Sequence, residues 1–443
     1  MLLEDEFVHW VHKLTWGDIP VEVKRHTLMS VLNYLAVGIH GAFSLPAETA
    51  LTTLSGQPRQ SLIVGRKERT DRYTSALVNG IAAHVEDFDD THLETVIHPC
   101  APVVSSVIPL LTEKAVSGQD FFLSVAVGCE VALRLGMSIS PQHYDEGWHI
   151  TSTCGAVGAA VASSKLLKLD VDALSGAMSA AGNHAAGLQA SFGSMTKSLH
   201  AGIAAQNGLL STELASKGLA QTKLSTTFPG SFVAVWGLGF KPHQLMLDSS
   251  QPWELLSNSF KPYPSGVVTH PAIDAGILLH RAVESTKVDS ITLHVHPLVL
   301  ELTNKEQPSS GLEGKFSVRY CVAASVLDGY LSVSHFTDEM VGRRDVIEMQ
   351  QRIRVIPDDG LQRDSCSLTA RLVSEASKEI TVSHATGSRN NPMTLAGLLQ
   401  KSQRLIDPVL GAGRTMALWK ELNTHVSQPL SLTHFIDLLT ETG

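Results

Sequence analysis

The change of hydrophobic pattern near residue 257 is the feature that most constrains the fold of this chain. Residues 1–250 carry an almost continuous helical spacing of apolar side chains, clear for example from Val23 to Leu35. Such a spacing of three and four residues is typical of helices with one buried face. Residues 290–297 alternate instead with a period of two, which is typical of a half-buried strand.

The second pattern ends as abruptly as it begins. Residues 353–357 are predicted as a strand, and residues 369–373 and 379–383 as a hairpin. After Asn391 and Pro392 the helical pattern resumes. We therefore predict a mainly-α protein. Its large all-helical domain is discontinuous in sequence (residues 1–256 and 392–443), and a smaller α+β lid domain (residues 257–391) is inserted into it.

Composition excludes several classes of partner. Hydrophobic residues make up 43% of the chain and charged residues only 17%, so the core is expected to be closely packed Ala, Val, Leu and Ile. The net charge of −9 and the lack of a basic arm argue against nucleic acid as a partner. Low charge with much Ala and Gly also suggests apolar surface buried between subunits, so we expect a homo-oligomer.

Cysteine usage and the first residues bear on the compartment. The five cysteines are odd in number and lack CxxC pairing, so neither a disulfide framework nor a structural zinc site is predicted. The N-terminus is acidic where a signal peptide would be basic. No apolar run is expected to reach the ~18 residues that span a bilayer. We expect a cytoplasmic protein that does not enter a membrane.

Residues 86–92 place four carboxylates directly after an Ala-rich apolar run. Asp87 and Thr91 are four residues apart and would share one face of a helix. His98 follows, beside Pro99. This set suggests an acid/base site in which Asp87 fixes the tautomer of His98. The alternatives are a solvated helix end and a metal site, although no HExxH or paired-His spacing supports a metal.

Two further segments place polar groups before small-residue helices. His149 precedes Thr151 and Ser152 at a predicted helix start, where free backbone N–H groups would favour an anion. A capping cluster beside a surface histidine is the alternative. Lys197 also precedes a Gly/Ala-rich helix and could bind a carboxylate. The alternative is a solvated side chain, which is the ordinary state of a lone lysine.

Three other residues are weaker candidates. Lys261 lies in a Pro/Gly turn at the predicted domain boundary, where it would face a cleft unless it is a linker lysine. Tyr320 begins an apolar helix and could present its hydroxyl to the same cleft, or be a core tyrosine. Cys154 at a helix N-terminus could be a nucleophile, but no Cys–His–Asn order accompanies it. No P-loop or GxGxxG occurs, so no nucleotide cofactor is predicted.

These segments together resemble the MmgE/PrpD family, which includes 2-methylcitrate dehydratase, cis-aconitate decarboxylase and iminodisuccinate epimerase. The segments that carry the resemblance occur in the order found in the family, and they are residues 87–91 with 98–99, residues 148–149, 196–200, 261–264 and 319–320. Two departures are His92, where a tryptophan is common, and Ser198, where a proline is usual. The interval from Thr91 to His98 is also one residue longer than in the decarboxylases.

The resemblance implies a split helical domain with an α+β lid, a homodimer, and an active site between lid and helical domain without metal or organic cofactor. It implies a lyase that acts on a small di- or tricarboxylate by acid/base chemistry next to a carboxylate, with an epimerase that uses the same site as the alternative. The catalytic residues that the resemblance implies are His98, His149, Asp87 and Tyr320. The implied substrate-binding residues are Thr91, Lys197 and Lys261.

Overall fold

The helices of the first half form one packed body. A computed structural model describes residues 3–54, 60–112, 116–220, 222–225, 229–237, 239–246, 252–427 and 433–440. The helices up to residue 245 are α1 (Leu3–Lys13), α2 (Val21–Gly41), α3 (Leu45–Leu54), α4 (Arg72–His84), α5 (Cys100–Val107), α6 (Gly118–Ile139), α7 (Gln142–Asp145), α8 (Ile150–Leu166), α9 (Val171–Asn183), α10 (Thr196–Ser216), α11 (Phe232–Trp236) and α12 (Pro242–Leu245).

Helix α8 lies at the centre of this body and packs against α5, α6, α9 and α10. Glycines allow the close approach: a Cβ on Gly158 of α8 would lie 2.7 Å from the carbonyl oxygen of Gly128 on α6. Likewise, a Cβ on Gly80 of α4 would lie 2.6 Å from the Cα of Gly202 on α10. Such distances are closer than side chains tolerate, so glycine brings the end of α4 near the start of α10.

A second apolar core lies around a four-stranded sheet. The strands are β5 (Val288–Val295), β6 (Ile353–Pro357), β7 (Cys366–Leu372) and β8 (Ser377–Val382), in the order β6-β5-β7-β8. Only β5 and β6 run parallel. The accompanying helices are α13 (His270–Ala282), α14 (Pro297–Thr303), α15 (Gly311–Gly314), α16 (Val318–Asp328), α17 (Asp338–Val341) and α18 (Arg344–Gln350). This is the α+β part of the chain.

The last helices return to the first core. They are α19 (Leu395–Leu410), α20 (Arg414–Ser427) and α21 (Thr433–Leu438). Helix α19 packs on α2, and Leu398, Leu405 and Phe435 belong to the same apolar cluster as Val31. The mainly-α prediction is confirmed. The limits of residues 1–256, 257–391 and 392–443 as domains stay a prediction.

The structure corrects the expectation of almost continuous helix before residue 250. Short strands interrupt it, namely β1 (Ser61–Leu62), β2 (Arg69–Thr70) and β3 (Asp90–His92). Strand β3 pairs antiparallel with β4 (Asn258–Phe260), with Thr91 opposite Ser259. Because α4 ends at His84, Asp87 and Thr91 do not share a helix face, and that prediction is wrong.

The expectation about membrane-length segments is also corrected. Helix α6 is long and apolar enough to cross a bilayer, but 89% of its apolar window is buried inside the fold. Helices α2 and α3 pass the same test only when a pair bent by 78° is counted as one span. A core helix of a globular domain has this same composition, and α6 packs on α8 as such a helix does.

Candidate active site

Six of the seven residues implied by the resemblance line one cavity, which lies between the helices and the α+β part. They are Asp87, Thr91, His98, His149, Lys197 and Lys261. The remaining wall consists of Val96, Tyr144, Phe192, Gly266, Val267, Val268, Leu302, Thr303 and Phe316. The polar groups thus face an apolar wall that comes largely from residues 266–316.

Secondary structure explains how distant residues meet here. His149 is the N-cap of α8, and Lys197 lies in the first turn of α10. Lys261 directly follows β4, and Asp87 lies between α4 and β3. The pairing of β3 with β4 therefore brings the Asp87 segment beside Lys261. Asp87 has φ +50°, a left-handed conformation that costs a residue with a Cβ on the order of 1 kcal/mol or more.

The Asp87 carboxylate accepts a charge-assisted hydrogen bond from Lys197 and forms an ion pair with Lys261. Its Oδ1 lies 2.6 Å from Nζ of Lys197 and 3.1 Å from Nζ of Lys261. Burial alone would raise the pKa of the Asp87 carboxyl, but the two ammonium groups outweigh burial and hold it well below its usual value. Burial lowers the pKa of Lys261, and Asp87 opposes that change. Two cations and one carboxylate thus converge on one point.

Asp89, and not Asp87, is the carboxylate beside the δ nitrogen of His98. Asp89 Oδ1 lies 3.2 Å from Nδ1 of His98, whereas Asp87 Oδ1 lies 3.8 Å from Nε2 of that ring. The other oxygen, Asp89 Oδ2, lies 2.7 Å from Nδ1 of His84. Thr91 Oγ1 is 3.1 Å from Nδ1 of His98. With Nδ1 protonated, the Nε2 lone pair of His98 is left to take up a proton, which the ring can then donate.

His149 is paired with a second histidine. Its Nδ1 lies 3.0 Å from Nδ1 of His200, so one of the two nitrogens carries a hydrogen and the other accepts it. Burial, followed by the charges of His84 and Lys197, lowers the pKa of His149 well below its usual value. His149 is therefore neutral near pH 7 and serves as a hydrogen-bonding group there. Its ring stacks on His84 at a centroid distance of 5.7 Å.

Comparison with known proteins identifies the family. Residues 5–237 match the MmgE/PrpD N-terminal domain, and residues 263–422 match the MmgE/PrpD C-terminal domain. The chain belongs to the MmgE/PrpD family. It is similar to "Cis-aconitate decarboxylase" of Mus musculus, with 29% identity over 79% of this chain and 75% of the relative. The Homo sapiens protein of that name is 28% identical over 81% of this chain and 78% of the relative. A protein of that name from Aspergillus terreus is 27% identical over 82% of this chain and 80% of the relative.

In this MmgE/PrpD protein Tyr320 lies away from the cavity. Its side chain is fully buried in the α+β core, and its hydroxyl donates a hydrogen bond to the carbonyl of His335. Its ring packs against Phe336. Ser317 caps α16 and sets the first turn so that Tyr320 points into that core. The alternative of a core tyrosine describes its position, and a catalytic role for Tyr320 has no support in the geometry.

The hypothesis of a thiol nucleophile at Cys154 also fails. The side chain is fully buried and does not line the cavity. Burial raises the pKa of the Cys154 thiol to about 12. A thiol that stays protonated at neutral pH is a poor nucleophile. The helix N-terminus at His149 therefore does not activate this cysteine.

One group of side chains has the composition of a metal site. One ligand atom from each of His84, Asp87, Asp89 and His98 lies within 4.8 Å of all the others. However, Asp87 already pairs with two ammonium groups, whose charges repel a divalent cation. Asp89 in turn contacts a nitrogen of each histidine. We therefore interpret the group as a network of ion pairs and hydrogen bonds.

Sequence reasoning missed four buried residues around the site, which are His84, Asp89, His200 and Lys401. Asp89 is only 1% exposed, so the alternative of a solvated helix end does not describe it. His84 lies on the helical face of α4 that the apolar pattern already predicted to be buried. A polar residue on such a face requires a partner, and that signal was available for His84.

Proposed function

We propose that this protein is a lyase that removes carbon dioxide from a small polycarboxylate by acid/base chemistry, with cis-aconitate as the first candidate substrate. The observation that carries the proposal is the convergence of Lys197 and Lys261 on one oxygen of Asp87, beside His98. The names of the relatives from mouse, human and Aspergillus terreus support decarboxylation as the reaction.

The lysines supply the electrostatic part of the chemistry. When the bond to a departing carboxylate breaks, its electron pair passes to the adjacent carbon and into the conjugated alkene and carboxylate. Preorganised cations stabilise that charge in a buried site far better than in water. Lys197 and Lys261 are 7% and 2% exposed, so water screens them little. In our proposal they bind the substrate carboxylate that receives the charge.

His98 and His149 supply the proton chemistry. A proton must reach the carbanion carbon once carbon dioxide has left, and a positioned histidine typically contributes 10²–10⁴-fold to such a step. His98 contacts both Asp87 and Asp89, so a positive charge on its ring is better stabilised than one on His149. We therefore assign the proton donor to His98, and to His149 a neutral hydrogen bond to the substrate. Thr91 supports His98.

Substrate entry requires the cavity to open. The cavity has an accessible volume of about 40 Å³, room for a few water molecules, whereas sites for small organic ligands occupy roughly 300–1,000 Å³. The apolar wall, which includes Val267, Leu302 and Phe316, belongs to the α+β part. We infer that this wall moves away from the helices on binding and excludes water when it closes.

The proposal can be tested by NMR in D₂O with cis-aconitate, 2-methylcitrate, citrate and iminodisuccinate. We expect cis-aconitate to lose carbon dioxide and the product to carry one deuterium. A Lys197→Met variant that folds normally should lose this activity. Loss of water from 2-methylcitrate, or exchange without loss at iminodisuccinate, would reassign the site to a dehydratase or an epimerase. No change in any of the four compounds contradicts the proposal.

Assembly and location stay predictions. We propose a cytoplasmic homodimer, as the family resemblance implies. Size-exclusion chromatography with light scattering measures the assembly directly, and a monomer at micromolar concentration would contradict it.

A further inference from the structure

Lys401 is a buried lysine whose ammonium group is bonded to neutral oxygens only. It lies on α19, 7% exposed, and Nζ donates to Asn33 Oδ1 at 2.7 Å, to the carbonyl of Phe88 at 2.6 Å and to the carbonyl of Lys261 at 3.0 Å. Nζ also lies 3.7 Å from the centroid of the Phe88 ring. Three acceptors at one nitrogen require three N–H groups, which an ammonium supplies and a neutral amine does not.

Burying this charge costs free energy that packing alone does not explain. Burial lowers the pKa of Lys401 well below its usual value, so the charged form is held at a cost. A methionine has a similar length and fills the same space without that cost. A charge kept under these conditions indicates that the hydrogen bonds themselves are required.

The two carbonyls that Lys401 binds belong to the active-site backbone. Phe88 lies between Asp87 and Asp89, and the second carbonyl is that of Lys261 itself. Lys261 reaches the other way, because its Nζ donates to the carbonyl of Asp87 at 3.0 Å. The segments after α4 and after β4 are therefore held together by hydrogen bonds from two lysines.

The hydrogen bonds from Lys401 reach a stretch of backbone that needs support from its surroundings. Asp87 has a left-handed conformation that other residues must hold in place. Strand β3 is only three residues long and pairs with a strand of the same length. So short a pairing does not by itself fix the segment before it, where Asp87 and Asp89 lie. The hydrogen bond from Lys401 to the carbonyl of Phe88 fixes the peptide group that joins Phe88 to Asp89.

We propose that Lys401 is a positioning residue of the active site, which sets the placement of Asp87, Asp89 and Lys261 through their backbone and does not touch the substrate. This inference rests on the proposed function for its kinetic readout. Since Lys401 lies on α19, it also couples the last helices of the chain to the site.

The experiment compares Lys401→Met with Lys165→Met. Lys165 is a matched control because its Nζ also donates to two backbone carbonyls, those of His12 and Leu14, and it does not line the cavity. We expect both variants to melt earlier than wild type. We expect only Lys401→Met to lose kcat, by roughly 10–10²-fold, because misplacement by about 1 Å has that effect. KM should change less, since Lys401 makes no substrate contact.

A second readout does not depend on turnover. The pKa of His98, followed by NMR of ¹⁵N-histidine-labelled protein, should shift in Lys401→Met because Asp89 moves, and should stay unchanged in Lys165→Met. If wild type acts on none of the four compounds, the proposed function fails, and this titration alone decides the role of Lys401.

Two results would overturn the inference. The first is a folded Lys401→Met variant with kcat within about threefold of wild type and an unshifted His98. If that variant does not fold, Lys401→Arg decides, because it keeps the charge but a planar guanidinium does not match three converging oxygens. Wild-type kcat and His98 titration in Lys401→Arg would overturn the inference, and a loss of about tenfold or more would support it.

Discussion

Asp89 can be tested by a substitution that keeps its shape and removes its charge, Asp89→Asn. The carboxylate contacts Nδ1 of His84 at 2.7 Å and Nδ1 of His98 at 3.2 Å, and all three side chains are buried. An asparagine presents only one acceptor oxygen, and its amide hydrogens would oppose the N–H of the other ring. One histidine must then change its tautomer or rotate.

The size of the effect follows from the charge. A carboxylate within about 4–6 Å favours the protonated form of an imidazole by roughly 1–3 pKa units. Its removal should lower the pKa of His98 by that amount, and each unit is worth about 1.4 kcal/mol in the step that needs protonated His98. We therefore expect kcat to fall by roughly 10–10³-fold. KM should change less, because Asp89 does not line the cavity.

The assay is the initial rate of carbon dioxide release from cis-aconitate at several pH values. Asp90→Asn is the matched control, since Asp90 is the next residue and fully buried, but bonds to Asn258 and to no histidine. A wild-type kcat in folded Asp89→Asn would refute the assignment of His98 as proton donor. Equal losses in both variants would indicate a general effect on the segment.

Three further predictions follow from the same contacts. In Asp87→Asn the lysines no longer share their charge with a carboxylate, so a polycarboxylate should bind about tenfold more tightly, which corresponds to about 1.4 kcal/mol. The value of kcat should fall. Weaker binding of the polycarboxylate, measured by calorimetry, would contradict this prediction. Tyr320→Phe should keep wild-type kcat and lose about 1 kcal/mol of stability in urea unfolding, since one buried hydroxyl bond is lost. Burial lowers the pKa of both His26 and His84 to about 4, so the unfolded chain binds more protons between pH 6.5 and 4. Stability should therefore fall from pH 7 to pH 5, by about 2 kcal/mol for each histidine, because the slope of about 1.4 kcal/mol per pH unit applies only below pH 6.5. Asp90, whose pKa burial raises to about 6, offsets one of them, and a protein equally stable at both pH values would contradict the prediction.

Much of the fold could be predicted because its signals are local. The strand predicted at residues 353–357 has those bounds in the structure, and the hairpin strands differ by a few residues at their ends. The β3–β4 pairing could not be predicted, because it joins two three-residue strands across more than 160 residues and neither carries a periodic signal. Without that pairing, the spacing of Asp87 and Thr91 in the sequence wrongly predicts that they share one face of a helix.

For the site, residue type and motif order predicted which side chains to consider, but not which of them contact each other. Asp87 and Asp89 are chemically alike in sequence, and only the turn after His84 directs one to the lysines and the other to the histidines. Lys401 offered a signal that could have been used. It lies three residues after Leu398 and four before Leu405, both buried, so it falls on the buried face of α19.

The charges of the site suggest how a polyanion enters a buried cavity. The charges of Lys197 and Lys261 are balanced by the ionised carboxylates of Asp87 and Asp89. Burial lowers the pKa of His98, as it does that of His149, so both rings are neutral near pH 7. The empty site is therefore close to electroneutral, which limits the cost of burying two lysines there. A substrate carboxylate then gains the ammonium groups by sharing them with Asp87, and it brings its own negative charge towards Nε2 of His98. Because that added charge raises the tendency of His98 to take up a proton, binding of the correct substrate itself prepares the proton donor. The same exchange gives selectivity, since a ligand without a carboxylate cannot replace Asp87 as a partner of the lysines and leaves His98 neutral.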